Sequence, residues 1–187
     1  MPGCTDKADP ALDLPIRIPH ELYFAREESG WGKGGVAFLR PTADSTHETF
    51  GRMYLITREQ FLEVVAQEND APFKRIVDAL GSVEFKPNGR HDLGFGWYDR
   101  VLCLGETEGI PVVTFTSKDD LSEQPTRPSV EYLTTILRGL IETHRTHTSF
   151  PSRLHEPEEI VAYMAAATQG LWTKPELTTL LGQCRDT

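Results

Sequence analysis

The pattern of apolar and polar residues first changes period near residue 57. Upstream of that point apolar residues come in short runs with β-branched and aromatic side chains: IRI at 16–18, LYFA at 22–25, GGVAFLR at 34–40 and TFGRMYLI at 49–56. Such runs, split by Pro19 and by the polar connection PTADSTHE, predict strands. From Thr57 the spacing turns helical. Phe61, Val64, Val65 and Glu68 fall at i, i+3, i+4 and i+7, and Thr57 with Gln60 has the capping-box spacing of a helix start.

Further along, FKRIVDALGSVEF gives no decisive period and PNGRHDLGFG reads as a glycine-rich loop. YDRVLCLGE and IPVVTFTS predict a hairpin turning through ETEG. A long helix is expected from Ser129, since Val130, Leu133, Ile136, Leu137, Leu140 and Ile141 form one apolar stripe. Two shorter helices follow, EEIVAYMAAA and PELTTLLGQ, the second capped by Thr173 with Glu176. Residues 1–15 read as an extended arm. Strands, helix, hairpin and helices in that order are not the βαβ alternation of a nucleotide-binding sheet, so the expected class is α+β with a small antiparallel or mixed sheet. The expected organisation is one domain over 1–150 and a helical extension over 151–187.

Charge narrows the partners. Lys and Arg number 19 against 28 Asp and Glu, a net −9, with no long basic run. Nucleic acid and anionic membranes both demand a positive surface, so neither is an expected partner. No apolar run approaches the ~20 residues that span a bilayer. The start, MPGCTDKADPALDLP, lacks the pattern of a signal or transit peptide. Cys4, Cys103 and Cys184 form neither a disulfide framework nor a CxxC pair, which fits a reducing cytoplasm.

Few residues carry candidate chemistry. WGKGGVAF, residues 31–38, has the glycines of a phosphate loop, but Lys33 precedes the glycine pair and a strand follows where a helix would be needed. It reads as a tight turn into a strand. Glu68 is more informative: helical spacing aims its carboxylate at the core, in a last turn where the helix dipole disfavours an anion. Both effects raise a carboxylate's pKa, as acid–base work near neutrality requires. The alternative is a helix that frays before Glu68 and leaves it exposed with Asn69 and Asp70. His144 and His147 have i, i+3 spacing without an acidic third ligand, so no metal or other cofactor is expected. A zinc amidohydrolase such as a histone deacetylase has no visible ligand set here. Cys103 reads as a packed thiol, and Trp31, Trp97, Tyr98 and Trp172 as core or pocket walls.

The order LYFA, W-x-x-GG-V-A-F, a strand ending MYLIT and a helix closing in Q-E-N resembles the γ-glutamylcyclotransferase-like family. The resemblance runs from about Pro15 to Ser117. It is nearest to a bacterial group with a helical C-terminal extension, which PGC, LPI and the WTKPEL helix also resemble. It implies a barrel-like mixed sheet flanked by helices, and release of 5-oxoproline from a γ-glutamyl compound with Glu68 as the acid–base residue. It further implies that Trp31, Gly34, Gly35 and Phe115 face the substrate, without metal or cofactor. Phe115 stands where catalytic relatives often carry a tyrosine. The family's Y-G-S-N or G-S-L loop, which supplies oxyanion donors, occurs nowhere in the 187 residues. The resemblance therefore places Met1 after that loop. An enzyme would need a segment upstream, and the missing first strand would leave a sheet edge open to homo-oligomer contact. The other expectation is a catalytically silent fold that binds a small molecule or a protein.

Overall fold

The structure, a computed structural model, describes residues 3–29, 32–147, 154 and 156–185. Strands β1 (Leu12–Ile18), β2 (Leu22–Ala25), β3 (Glu28–Ser29), β4 (Gly32–Lys33), β5 (Val36–Leu39) and β6 (Thr49–Leu55) come first. Helices α1 (Arg58–Glu68) and α2 (Phe73–Leu80) follow, then β7 (Arg90–Asp92), β8 (Arg100–Thr107) and β9 (Ile110–Thr116). Helices α3 (Val130–Thr146), α4 (Pro157–Ala167) and α5 (Lys174–Arg185) complete the chain. The class is α+β, as expected. No helix among the described residues is long and apolar enough to cross a membrane.

The barrel-like sheet implied by the resemblance is a point of correction. The described strands pair as β1–β6, β2–β5, β3–β4 and β7–β8–β9, four small sheets, none of them closed. Two of the strands are only two residues long, and a barrel needs continuous ladders around its whole circumference.

The chain divides into two compact units, one of residues 1–14 with 53–119, the other of 15–52 with 120–187. In the first, Phe61, Leu62, Val65 and Ala66 of α1 meet Ile76 and Leu80 of α2 and Val101 of β8 in one apolar cluster. The β8–β9 hairpin turns through Glu108 and Gly109, both at positive φ (53° and 77°), as a two-residue turn matched to strand twist demands. A bulge between Cys103 and Gly105 interrupts its register. The N-terminal arm is not loose: Thr5 donates from its backbone N–H (2.7 Å) and its hydroxyl to Glu63. Gln60 Nε2 donates to the carbonyls of Asp6 (3.4 Å) and Ala8 (3.2 Å). Residues 12–14, expected in that arm, belong to β1. Leu12 and Leu14 are exposed, so pairing with β6 holds this strand where no burial pattern announces it.

The second unit is built on helices. Leu133 and Leu137 of α3 pack with Ile160 and Met164 of α4, Leu177 and Leu181 of α5, and Phe24 of β2. Burying a leucine side chain is worth roughly 1.5–3 kcal/mol, so the α3 stripe anchors this cluster more than any surface pair. Helices α4 and α5, in the stretch expected as a helical extension at 151–187, share one core with α3. Glycine 35 explains part of GGVAFLR. A Cβ there would lie 2.2 Å from the Thr126 carbonyl oxygen, and its N–H donates to Arg127 O at 3.0 Å. Gly34, at φ +127°, faces the backbone of Ser129 and Arg127, where a Cβ would lie 2.7 and 2.9 Å away. The two glycines thus belong to the approach, and the strand itself starts at Val36.

Candidate functional site

Helix α1 begins as its sequence predicts. Thr57 Oγ1 accepts from Gln60 N and Gln60 returns its side chain to Thr57 N, two otherwise orphan donors satisfied. The end decides more. Asp70 takes positive φ (45°), its N–H reaches Gln67 O at 3.3 Å, and Ala71 N–H reaches Ala66 O at 2.9 Å. This paired closure is the Schellman motif, which fixes the last turn and keeps Glu68 helical. The fraying alternative does not hold.

Glu68 is partly buried, and its carboxylate has no hydrogen-bond or ion-pair partner among the described residues. Burial raises its pKa above the ordinary carboxylate value. The negative end of the helix acts in the same direction, and no basic residue sits in the last turn to offset it. A carboxylate so placed holds a proton more readily than one in water and has a free lone pair to offer.

Next to it, Asn69 holds a loop. Its Nδ2 donates to Val65 O (3.0 Å) and Tyr98 O (3.1 Å), while its Oδ1 accepts from Tyr98 N (2.9 Å). The three bonds leave one sensible orientation for the amide. The ring of Tyr98 packs edge-on against Phe115 (5.5 Å between centroids), and Phe115 also meets Phe61 of α1 (6.4 Å). Phe95 of the same loop lies under the Arg75 guanidinium, 3.7 Å from its centroid. The loop closes on itself through Leu93 N–H to Asp99 O at 2.7 Å. A cleft of about 600 Å³ opens elsewhere on α1, between the arm at Cys4 and Thr5 and the residues Glu63, Gln67 and Phe73; Glu68 does not line it.

Of the residues singled out from the sequence, Glu68 and Phe115 fall in the first unit and Gly34 and Gly35 in the second, while Trp31 lies outside the described residues. On their Cβ sides Gly34 and Gly35 meet protein backbone. The histidines do not converge: among the described residues no group of three or more His, Cys, Asp or Glu could hold a metal ion. Asn69 is what sequence reasoning missed. Its signal is the GFG of 94–96, where glycine marks a close approach: a Cβ on Gly96 would lie 2.0 Å from Asn69 Oδ1.

No family model matches the chain, and no solved structure matches it. Among curated proteins it is similar to one named histone deacetylase 5, from Arabidopsis thaliana, at 38% identity over 162 residues. The match covers 76% of this chain and 24% of the relative, so the chain spans about a quarter of the length of the curated protein it matches.

Proposed function

We propose that the unit carrying Glu68 is a γ-glutamylcyclotransferase-like site, cyclising a γ-glutamyl compound to 5-oxoproline. The observation that carries the reading is the partly buried, unpartnered Glu68 carboxylate at a rigid helix end. The substrate's α-ammonium, pKa roughly 8 when free, must lose a proton before its nitrogen can attack the γ-carbonyl carbon. Glu68 takes that proton. The new C–N bond closes the five-membered ring, and the old C–N bond breaks as Glu68 gives its proton to the departing amine. The ring nitrogen then loses its second proton to the freed carboxylate, which passes it on to the amine or to solvent. Both reacting ends belong to one molecule, so holding the substrate folded supplies much of the acceleration. Phe115, between Phe61 and Tyr98, offers an apolar wall without a hydroxyl.

A second reading has its own support. A protein named as a deacetylase contains a segment similar to this chain in about a quarter of its length. A fold carried inside a longer protein suits a silent module that binds a small molecule or another protein.

The two readings separate on one assay. Purified protein, as 1–187 and extended through any in-frame codons upstream of Met1, is incubated with γ-glutamyl-alanine and 5-oxoproline is measured. Product from either form, lost in Glu68→Gln, supports the enzyme. No product from the extended form rejects it in favour of the binding module.

A further inference from the structure

We propose that Asn69 is a positioning residue that pins the aromatic loop 93–99 to the helix end bearing Glu68, so that carboxylate and loop form one preorganised wall. The catalytic part of this inference rests on the cyclotransferase reading of Glu68; the clamp itself rests on geometry alone.

The loop is tied at three places. Leu93 and Asp99 close its base (2.7 Å), and Asp99 Oδ1 in turn accepts from Lys118 N at 2.8 Å. Arg75 of α2 lies over Phe95. Between these, Asn69 grips the Tyr98 backbone on both its donor and its acceptor side, as a neighbouring strand would. The bonds are set by the backbone of Tyr98, yet what they position is its ring against Phe115. Two tight features protect the clamp. Gly96, at φ +83°, leaves the space that Asn69 Oδ1 fills, and Val65 O holds the amide from behind. Substituting either Asn69 or Gly96 therefore attacks the same junction.

Charged groups on the surrounding elements are occupied elsewhere. Glu63 binds Thr5, Lys74 pairs with Asp78, Arg58 serves the carbonyls of Leu80 and Val83, and Arg100 pairs with Asp92. Asp70 is exposed past the helix end. The state of Glu68 thus answers to burial, and its neighbour Asn69 is the point at which the loop is held.

The test uses Asn69→Ala, Asn69→Asp and Gly96→Ala in the full chain. Amide exchange at Tyr98, the carboxyl titration of Glu68 by NMR, and kcat and KM for γ-glutamyl-alanine are recorded. Asn69→Ala should speed Tyr98 exchange by about five- to tenfold, the loss of hydrogen bonds of ordinary net strength. It should also move the Glu68 titration down toward an ordinary carboxylate. Asn69→Asp keeps one acceptor and should fall between, while Gly96→Ala should reproduce Asn69→Ala. Where product forms, kcat should fall about tenfold with a smaller change in KM, since alignment rather than ground-state binding is lost. Tyr98 exchange and Glu68 titration unchanged in folded variants would overturn the clamp. If both move while the native protein forms no 5-oxoproline, the clamp stands and the cyclotransferase reading falls.

Discussion

Glu68 and Glu176 are the same residue at opposite ends of two helices, and their surroundings treat them in opposite ways. Glu176, in the first turn of α5, accepts from Thr173 N (2.8 Å) and Thr173 Oγ1 (2.7 Å) and pairs with Arg127 at 3.0 Å. These bonds hold its pKa down at about 2. Glu68, in the last turn of α1, receives none of this, and burial pushes it the other way. The contrast separates a charge that builds structure from one left available. A carboxylate whose lone pairs are all engaged can do little chemistry; one kept idle at a rigid helix end costs stability and keeps its lone pairs open.

The largest effect that could break this comparison is on turnover. Glu68→Gln should lower kcat/KM at least about 100-fold while leaving the melting temperature level or slightly higher. Glu176→Gln should do the reverse, leaving turnover alone and lowering the melting temperature. Equal loss of activity in both would erase the distinction. Thr173→Ala comes next, removing the cap that satisfies Glu176. Urea unfolding should show a loss of about 1 kcal/mol, with the Glu68 titration unmoved.

Stability against pH sharpens the contrast by sign. Glu68 has a folded pKa above its unfolded one, so its contribution is complete below the ordinary value of 4.5 and is lost as pH rises through the raised value. Glu176 has a folded pKa below its unfolded one, so its contribution is complete above 4.5 and is lost as pH falls through about 2. Unfolding midpoints of the native protein and the two glutamine variants, taken from about pH 2 to about pH 8, should draw together at the acid end and part in opposite directions toward neutrality, with Glu68→Gln above the native protein and Glu176→Gln below it. The smallest effect is that of salt. The Arg127–Glu176 pair is exposed, so raising salt from about 0.05 M to about 1 M should hardly move the melting temperature.

What the sequence made legible follows range. The start of α1, the glutamate on its buried face, the Glu108–Gly109 turn and the α3 stripe all depend on neighbours within a few positions, and periodicity reports such neighbours directly. The clamp from Asn69 to Tyr98 joins residues 29 apart, and Gly35 meets Thr126 across about half of the chain. No local period records those meetings; glycine in GFG and GG only says that something comes close. The first half of β1 escaped for a related reason. Its leucines face outward, so the strand rests on hydrogen bonds to β6 that a hydropathy pattern does not register.

The division of the chain has a genetic consequence. It passes from one unit to the other after Leu14, after Arg52 and after Asp119, so each unit is assembled from two separated stretches of the gene. Trimming either terminus truncates a unit without isolating its neighbour. Inserted sequence is best tolerated at loops inside a stretch, and a fusion partner belongs at an end rather than at an apparent midpoint.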